Sequence, residues 1–366
     1  MIPLSSTEPE LRPELPRPQH HPHRGQHRAH AVDAAPPGPG ATGIRGVLLP
    51  VAVVLVIGTI FVSVYLAAFH APRPHRLPVA VVGSSQTVDQ VRTGLAAAQP
   101  GGFTVHAYPD AAAARQALQH RTVYAAYLAG GSTTGGNPEL LYAGANGTGV
   151  TATVTGAFGA LAKVSGHPPA TQDALPASSG DTRGLSVFYA GFGVVLAAFL
   201  FGSMTYQVAP RLEYRWRMVS LALFGVLGGT MVALVAGQGF HALPGPFLGV
   251  AGIAALMAVA VGGATMTLMR LCGAAGMSLA SILLLILGNA TSGGILPAAY
   301  LPGWLLPLHV LLPVGVGVQG IQGLAYFHQD GLAPALGVPA AWIAVCAAAL
   351  YLRDVHTPRR RLRAAG

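Results

Sequence analysis

Four prolines, Pro297, Pro302, Pro307 and Pro313, interrupt a stretch from Gly288 to Gly323 that contains no Asp, Glu, Lys or Arg and is apolar enough to sit in a bilayer. A proline inside a helix removes a backbone donor and clashes with the preceding turn. Non-helical backbone at membrane depth persists only where protein buries it or where it lines a cavity. The stretch is therefore a helix end, an elbow at one face of a membrane bundle, or a re-entrant segment, with Tyr300 and Trp304 as interface anchors. Pro297 is expected to end a helix and Tyr300 to Gly315 to pack at the mouth of the bundle as a short re-entrant hairpin.

The rest of the chain supports a membrane setting. Of 366 residues, 52% are hydrophobic and only 9% charged, against about 25% charged in soluble domains. The formal charge of +9 is carried almost wholly by arginine, Lys163 being the single lysine. These arginines lie in tails and short loops between apolar runs, which fits the positive-inside rule and not a nucleic-acid face. Cys272 and Cys346 are the two cysteines, too few and too isolated for a disulfide framework or a zinc site. No cofactor is expected.

Residues 1–45 read as a disordered cytoplasmic tail, rich in proline, histidine and arginine without periodicity. Its cluster His20, His21, His23, His27 and His30 lacks the fixed geometry a metal needs, so a weakly basic tail is the preferred reading. Residues 46–69 carry no charge and are long enough to span, where about 20 residues suffice; they form a first, uncleaved transmembrane anchor.

Residues 70–184 read as a small extracytoplasmic α/β domain inserted between helices 1 and 2. Strands are expected at Leu77–Val82, Phe103–Tyr108, Val123–Gly130 and Glu139–Gly144, and helices at Thr87–Ala98, Asp110–His120 (capped by Asp110) and Asn146–Lys163. The alternation predicts a mostly parallel sheet. Pro168 to Arg183 is expected to be a linker. The domain's acids and bases, among them His106, show no spacing tied to a reaction, and His106 is expected to face solvent. Gly144 to Gly149 is read as a turn before a helix and not as a phosphate cradle.

Residues 185–352 then hold five further spans: Leu185–Tyr206, Met218–Gly237, Phe247–Met269, Met277–Leu296 and Ala335–Leu352, with the outer elbow at 297–318. The fold class is thus an α-helical integral membrane protein of six transmembrane helices. A basic tail follows at 353–366. Arg211, Arg215, Arg217, Arg270 and Arg353 fall on one set of connections, whereas Gln238–Pro246 and Ala298–Pro334 contain no Lys or Arg. This asymmetry puts both termini in the cytoplasm of a cell-membrane protein and the α/β domain outside. Arg73 and Arg76, beside the outer end of the first helix, argue the other way.

No span carries an ionisable residue, which disfavours a proton relay, and the residues around Lys163 do not form a P-loop. Catalytic residues are expected to be absent. If ATP drives transport, a separate cytoplasmic subunit hydrolyses it. The best surface for that subunit is the connection Gln207–Arg217, with Arg211, Glu213, Tyr214, Arg215, Trp216 and Arg217; alternatively, the same residues only fix topology. Asn289, Thr291 and Ser292, followed by Gly293 and Gly294, either line a path or bond a neighbouring helix. Small residues such as Gly228–Thr230 and Gly262–Thr265 allow close helix approach and favour a packed bundle or a dimer.

One anchor, an external domain, five spans, and the motifs Asn289–Pro297 (NATSGGILP), Tyr300–Trp304 (YLPGW), Pro307–His309 (PLH) and Leu311–Gly315 (LLPVG) together resemble the phage-infection-protein (YhgE/Pip-like) branch of the type 2 ABC export permeases. The resemblance implies a six-helix permease half that exports a drug, lipid or peptide-like amphiphile. It further implies a homodimer or pairing with a second permease half, together with membrane lipid and a cytoplasmic ATPase subunit. The compact external domain departs from the long helical one of that branch. A different class of reading is a membrane-anchored receptor or envelope-interaction protein acting through the α/β domain.

Overall fold

The computed structural model describes residues 44–130 and 137–364, so the N-terminal tail and its histidine cluster lie outside the described residues. The chain is mostly helical with one small sheet. Helix α1 (Ile44–Phe69) comes first. It is followed by β1 (Leu77–Val82), α2 (Ser85–Ala98), β2 (Phe103–Tyr108), α3 (Ala111–Gln119), β3 (Ala125–Leu128), β4 (Glu139–Tyr142), α4 (Thr148–Ser165) and β5 (Ala170–Asp173). The remaining helices are α5 (Ser186–Val208), α6 (Tyr214–Gly239), α7 (Phe247–Cys272), α8 (Ala274–Ala290), α9 (Leu306–Leu311), α10 (Pro313–Tyr326) and α11 (Leu332–Ala364).

The sheet runs β2-β1-β3-β4-β5. β1 pairs in parallel with β2 and β3, β3 with β4 antiparallel, and β4 with β5 in parallel. β5 falls in the segment expected to be a linker. Its sequence ATQD has no apolar alternation, and it is an edge strand held by pairing to β4, with Asp173 accepting from the Gly144 and Leu175 amides. Helices α2 and α4 cover one face through Val88, Val91, Leu95 and Phe158, and α3 covers the other through Ala114 and Leu118. Asp110 caps α3, accepting from Ala113 N at 2.7 Å, as its place before the helix predicts. His106 is exposed, also as expected.

Both sheet cores are completed by residues from far along the chain. Leu296 and Tyr300 belong to the core under α2 and α4, and the fully buried Phe327 to the core under α3. From Ala52 on, the α/β layer and the helices form one compact unit.

Among the described residues, five helices are long and apolar enough to cross a membrane: α1 from Gly46, α5, α6, α7 and α11 to Asp354. The run expected as a span over Met277–Leu296 is the shorter apolar helix Ala274–Ala290. At 1.5 Å per residue it is about 25 Å long, short of a hydrocarbon core of about 30 Å. Pro297 does not end it. Asn289 and Thr291 turn their side chains back onto Leu285 O (2.8 Å) and Leu287 O (2.7 Å), and Gly293 takes a φ of +76°, so the helix stops at Ala290. α7 is the hub, with α5, α6, α10 and α11 all packed along it. Close approach depends on glycine there: a Cβ at Gly229 would lie 2.2 Å from Ala251 O.

Candidate functional site

The proline-broken stretch folds as a helical hairpin inserted among the spans. α9 leads to an extended Leu312, and Pro313 opens α10 at its first turn, where a missing amide costs nothing. Trp342, ten residues into α11 and so about 15 Å along it, donates from Nε1 to Leu311 O at 2.9 Å. α10 is buried along most of its length, with Val314, Val316, Val318 and Ile321 in the core of the bundle. The sequence did not mark this 14-residue helix, whose glycines weaken its helix propensity; packing supplies what that propensity lacks.

Where the hairpin, the end of α8 and the α/β layer meet, polar side chains form a connected seam. Arg121, just past α3, donates from Nε and Nη2 to Asp330 Oδ2 at 2.9 and 2.7 Å, and from Nη1 to Gln322 Oε1 at 2.9 Å. Its guanidinium lies 4.8 Å from the centre of the Phe327 ring. His309 on α9 donates from Nδ1 to Thr291 O at 2.8 Å and meets Gln319 Oε1 at 3.3 Å through Nε2. A small cavity of about 50 Å³ lies between them, lined by residues including Arg121, Tyr124, Ser292, Pro297, His309 and Gln319. That is room for a few waters with ample polar partners.

Charge is tightly managed in this seam. Burial is the main cause that lowers the His309 pKa, and Arg121 pushes it the same way against the hydrogen bonds of Thr291 and Gln319. Burial likewise raises the pKa of Tyr124, which faces the same cavity. Burial thus works against a charged imidazole beside the paired Arg121 guanidinium.

The residues singled out in the sequence divide here. Ser292, Gly293 and Pro297 border the cavity. Asn289 and Thr291 bond their own helix, and Asn289 Oδ1 is buried with no hydrogen-bond partner among the described residues. Gly294 packs against Phe188, Pro302 forms a turn with Leu305, Pro313 opens α10, and Trp304 is exposed. Arg121, His309, Gln319, Gln322, Phe327 and Asp330 were not foreseen as a group. The one available signal was Asp330, the single carboxylate between Ala298 and Pro334.

At the opposite end of the bundle, the connection between α5 and α6 is braced from beneath. Arg217 is turned inward, its side chain only 3% exposed, and does not project from the loop as expected. Burying it is tolerated because it donates to Asp354 Oδ2 at 3.1 Å and to Leu212 O. Arg270 bonds the other oxygen of Asp354 at 3.2 Å and Pro210 O at 3.0 Å. Arg211, Glu213, Arg215 and Trp216 are exposed on the rim, with Arg215 paired to Glu213 and lying 5.5 Å from the Trp216 ring. Tyr214 packs edge-on against Tyr351.

Among the described residues no group of His, Cys, Asp and Glu is arranged to hold a metal. No family model matches the chain, and no curated protein or solved structure matches it either.

Proposed function

We propose that this chain is the permease subunit of an ATP-driven exporter of small amphiphiles, with ATP hydrolysed by a separate cytoplasmic subunit. The observation that carries the reading is the braced α5–α6 connection. Two arginines anchored on Asp354 hold Pro210 and Leu212 by their carbonyls, so Arg211, Glu213, Arg215 and Trp216 stand on a stiff platform suited to transmit a push. The resemblance of the NATSGGILP and YLPGW motifs to type 2 ABC export permeases supports the same assignment.

In this reading the arginine-bearing end is cytoplasmic, with both termini, the α/β layer is outside, and the α9–α10 hairpin enters the bundle from that outer side. α8 serves as a shortened sixth crossing. Co-purification with an ATPase subunit tests the assignment, and R215A/W216A should abolish it while the fold stays intact. Purification without any ATPase, with efflux unchanged on deleting the gene, would sink the reading.

A second reading is a receptor working through the α/β layer. It is favoured by an open crevice of about 880 Å³ between α2 and α4, lined by Ser85, Gln86, Asp89 and Thr93. Peptide and small-molecule screening against the full chain, read by protection of α2 from hydrogen exchange, tests it; no protection by any compound counts against it.

A further inference from the structure

α5 and α6 are consecutive in the chain, yet they touch little, because each packs along α7 instead. They meet at a stacked pair of rings, Phe201 and Phe224, with centroids 4.3 Å apart and planes within 4°. From that pair towards the α/β end they diverge and leave a wedge floored by Ala258 of α7. The wedge has a volume of about 310 Å³. Tyr189 to Ala197 form one wall, about 12 Å long, and Phe224 to Ala236 the other, about 18 Å. The second wall includes the start of the π-helical turns Ala233–Gly239. Every lining side chain is uncharged, and the single hydroxyl is that of Tyr189 at the open end.

We infer that this wedge seats one acyl chain of a bilayer lipid. Both walls belong to helices long and apolar enough to cross a membrane, so hydrocarbon is the medium at the opening. Size decides between the remaining occupants. A second helix about 10 Å thick fills on the order of 1000 Å³ over this length, more than the whole non-atom space of about 770 Å³ in the wedge even with its open part counted. An extended alkyl chain, 4 to 5 Å thick by carbon contact distances, fills roughly 200–300 Å³. Two glycines keep the space open: a Cβ at Gly193 or at Gly228 would meet nothing within 4 Å. They are not there to let helices touch, unlike neighbouring Gly229, and larger residues in their place would grow into the wedge.

The test uses the full chain in nanodiscs that contain phosphatidylcholine with a mid-chain diazirine. Photolabelling is mapped by peptide, with α1 as the internal reference for ordinary lipid contact, since its apolar residues from Val53 to Leu66 are largely exposed. Labelling of α5 and α6 should exceed that of α1 at least fivefold and fall to the α1 level in G193L/G228L, while α1 labelling stays constant. Equal labelling of α1 and the wedge in the native chain would overturn the inference, as would an enrichment that survives the double substitution. So would disulfide-linked dimers of a Gly228→Cys variant, which would make a second copy the occupant, or complete displacement of the label by a free dodecyl amphiphile, which would make it a lipid-independent cargo site. The labelling does not depend on ATP, so its failure leaves the export reading standing, and loss of ATPase association leaves the lipid site standing.

Discussion

Arg121 and Asp330, 209 residues apart, form an ion pair that ties the α/β layer to the turn just after the inserted hairpin. Two guanidinium nitrogens converge on one carboxylate oxygen, and the arginine side chain is only 8% exposed. Such a pair adds little net stability over an apolar substitute, but breaking it strands a charge away from water.

Asp330→Ala should therefore destabilise the chain by about 2–4 kcal/mol, and Arg121→Met should cost less because it removes the charge that would be stranded. A double-mutant cycle on denaturant unfolding in nanodiscs measures the coupling. Additive effects would show that the two residues do not hold each other.

Phe327 is fully buried in a core shared with α3, and its ring also carries the Arg121 guanidinium. Phe327→Ala should cost about 3–5 kcal/mol. By the same logic, residues 70–184 expressed alone should bind a hydrophobic dye and lose near-ultraviolet dichroism, since Leu296, Tyr300 and Phe327 no longer cover its faces. A sharp thermal transition in that fragment would contradict the shared core.

His309 predicts a pH dependence whose sign follows from its lowered pKa. Above the ordinary histidine value of 6.5, both folded and unfolded chains hold it neutral, and the seam's full stability is present. As pH falls below 6.5, the unfolded chain takes up the proton first, and stability drops until the folded pKa is passed. His309→Asn, which keeps a donor for Thr291 O, should flatten unfolding midpoints measured between pH 7.5 and 5. An unchanged slope in the variant would assign the dependence elsewhere.

Adjacent glycines on α6 should respond oppositely. Gly229→Ala forces a Cβ against the α7 backbone and should lower stability by about 1–3 kcal/mol. Gly228→Ala faces open space and should be neutral or slightly stabilising through helix propensity. Thermal unfolding of the two single variants decides this.

Much of the architecture was legible from residue order. Uncharged runs of suitable length marked α1, α5, α6, α7 and α11, because a helix satisfies its own backbone and needs only an apolar surface to sit in lipid. Asp110 announced α3, since capping acts within one turn. Short apolar runs located β1 to β4, but β5 carries no such run and exists by pairing alone.

What composition determined, then, is a helical chain with apolar spans, a small α/β layer, and arginines gathered at one set of connections. Tertiary structure alone decided that Pro313–Tyr326 is a helix buried in the core of the bundle, that Arg217 faces inward to Asp354, and that Arg121 reaches Asp330. The reason is physical. Helices, caps and turns arise from neighbours in sequence, whereas a buried charge is tolerated only where the fold brings a distant partner within hydrogen-bond reach, and no local pattern records that distance.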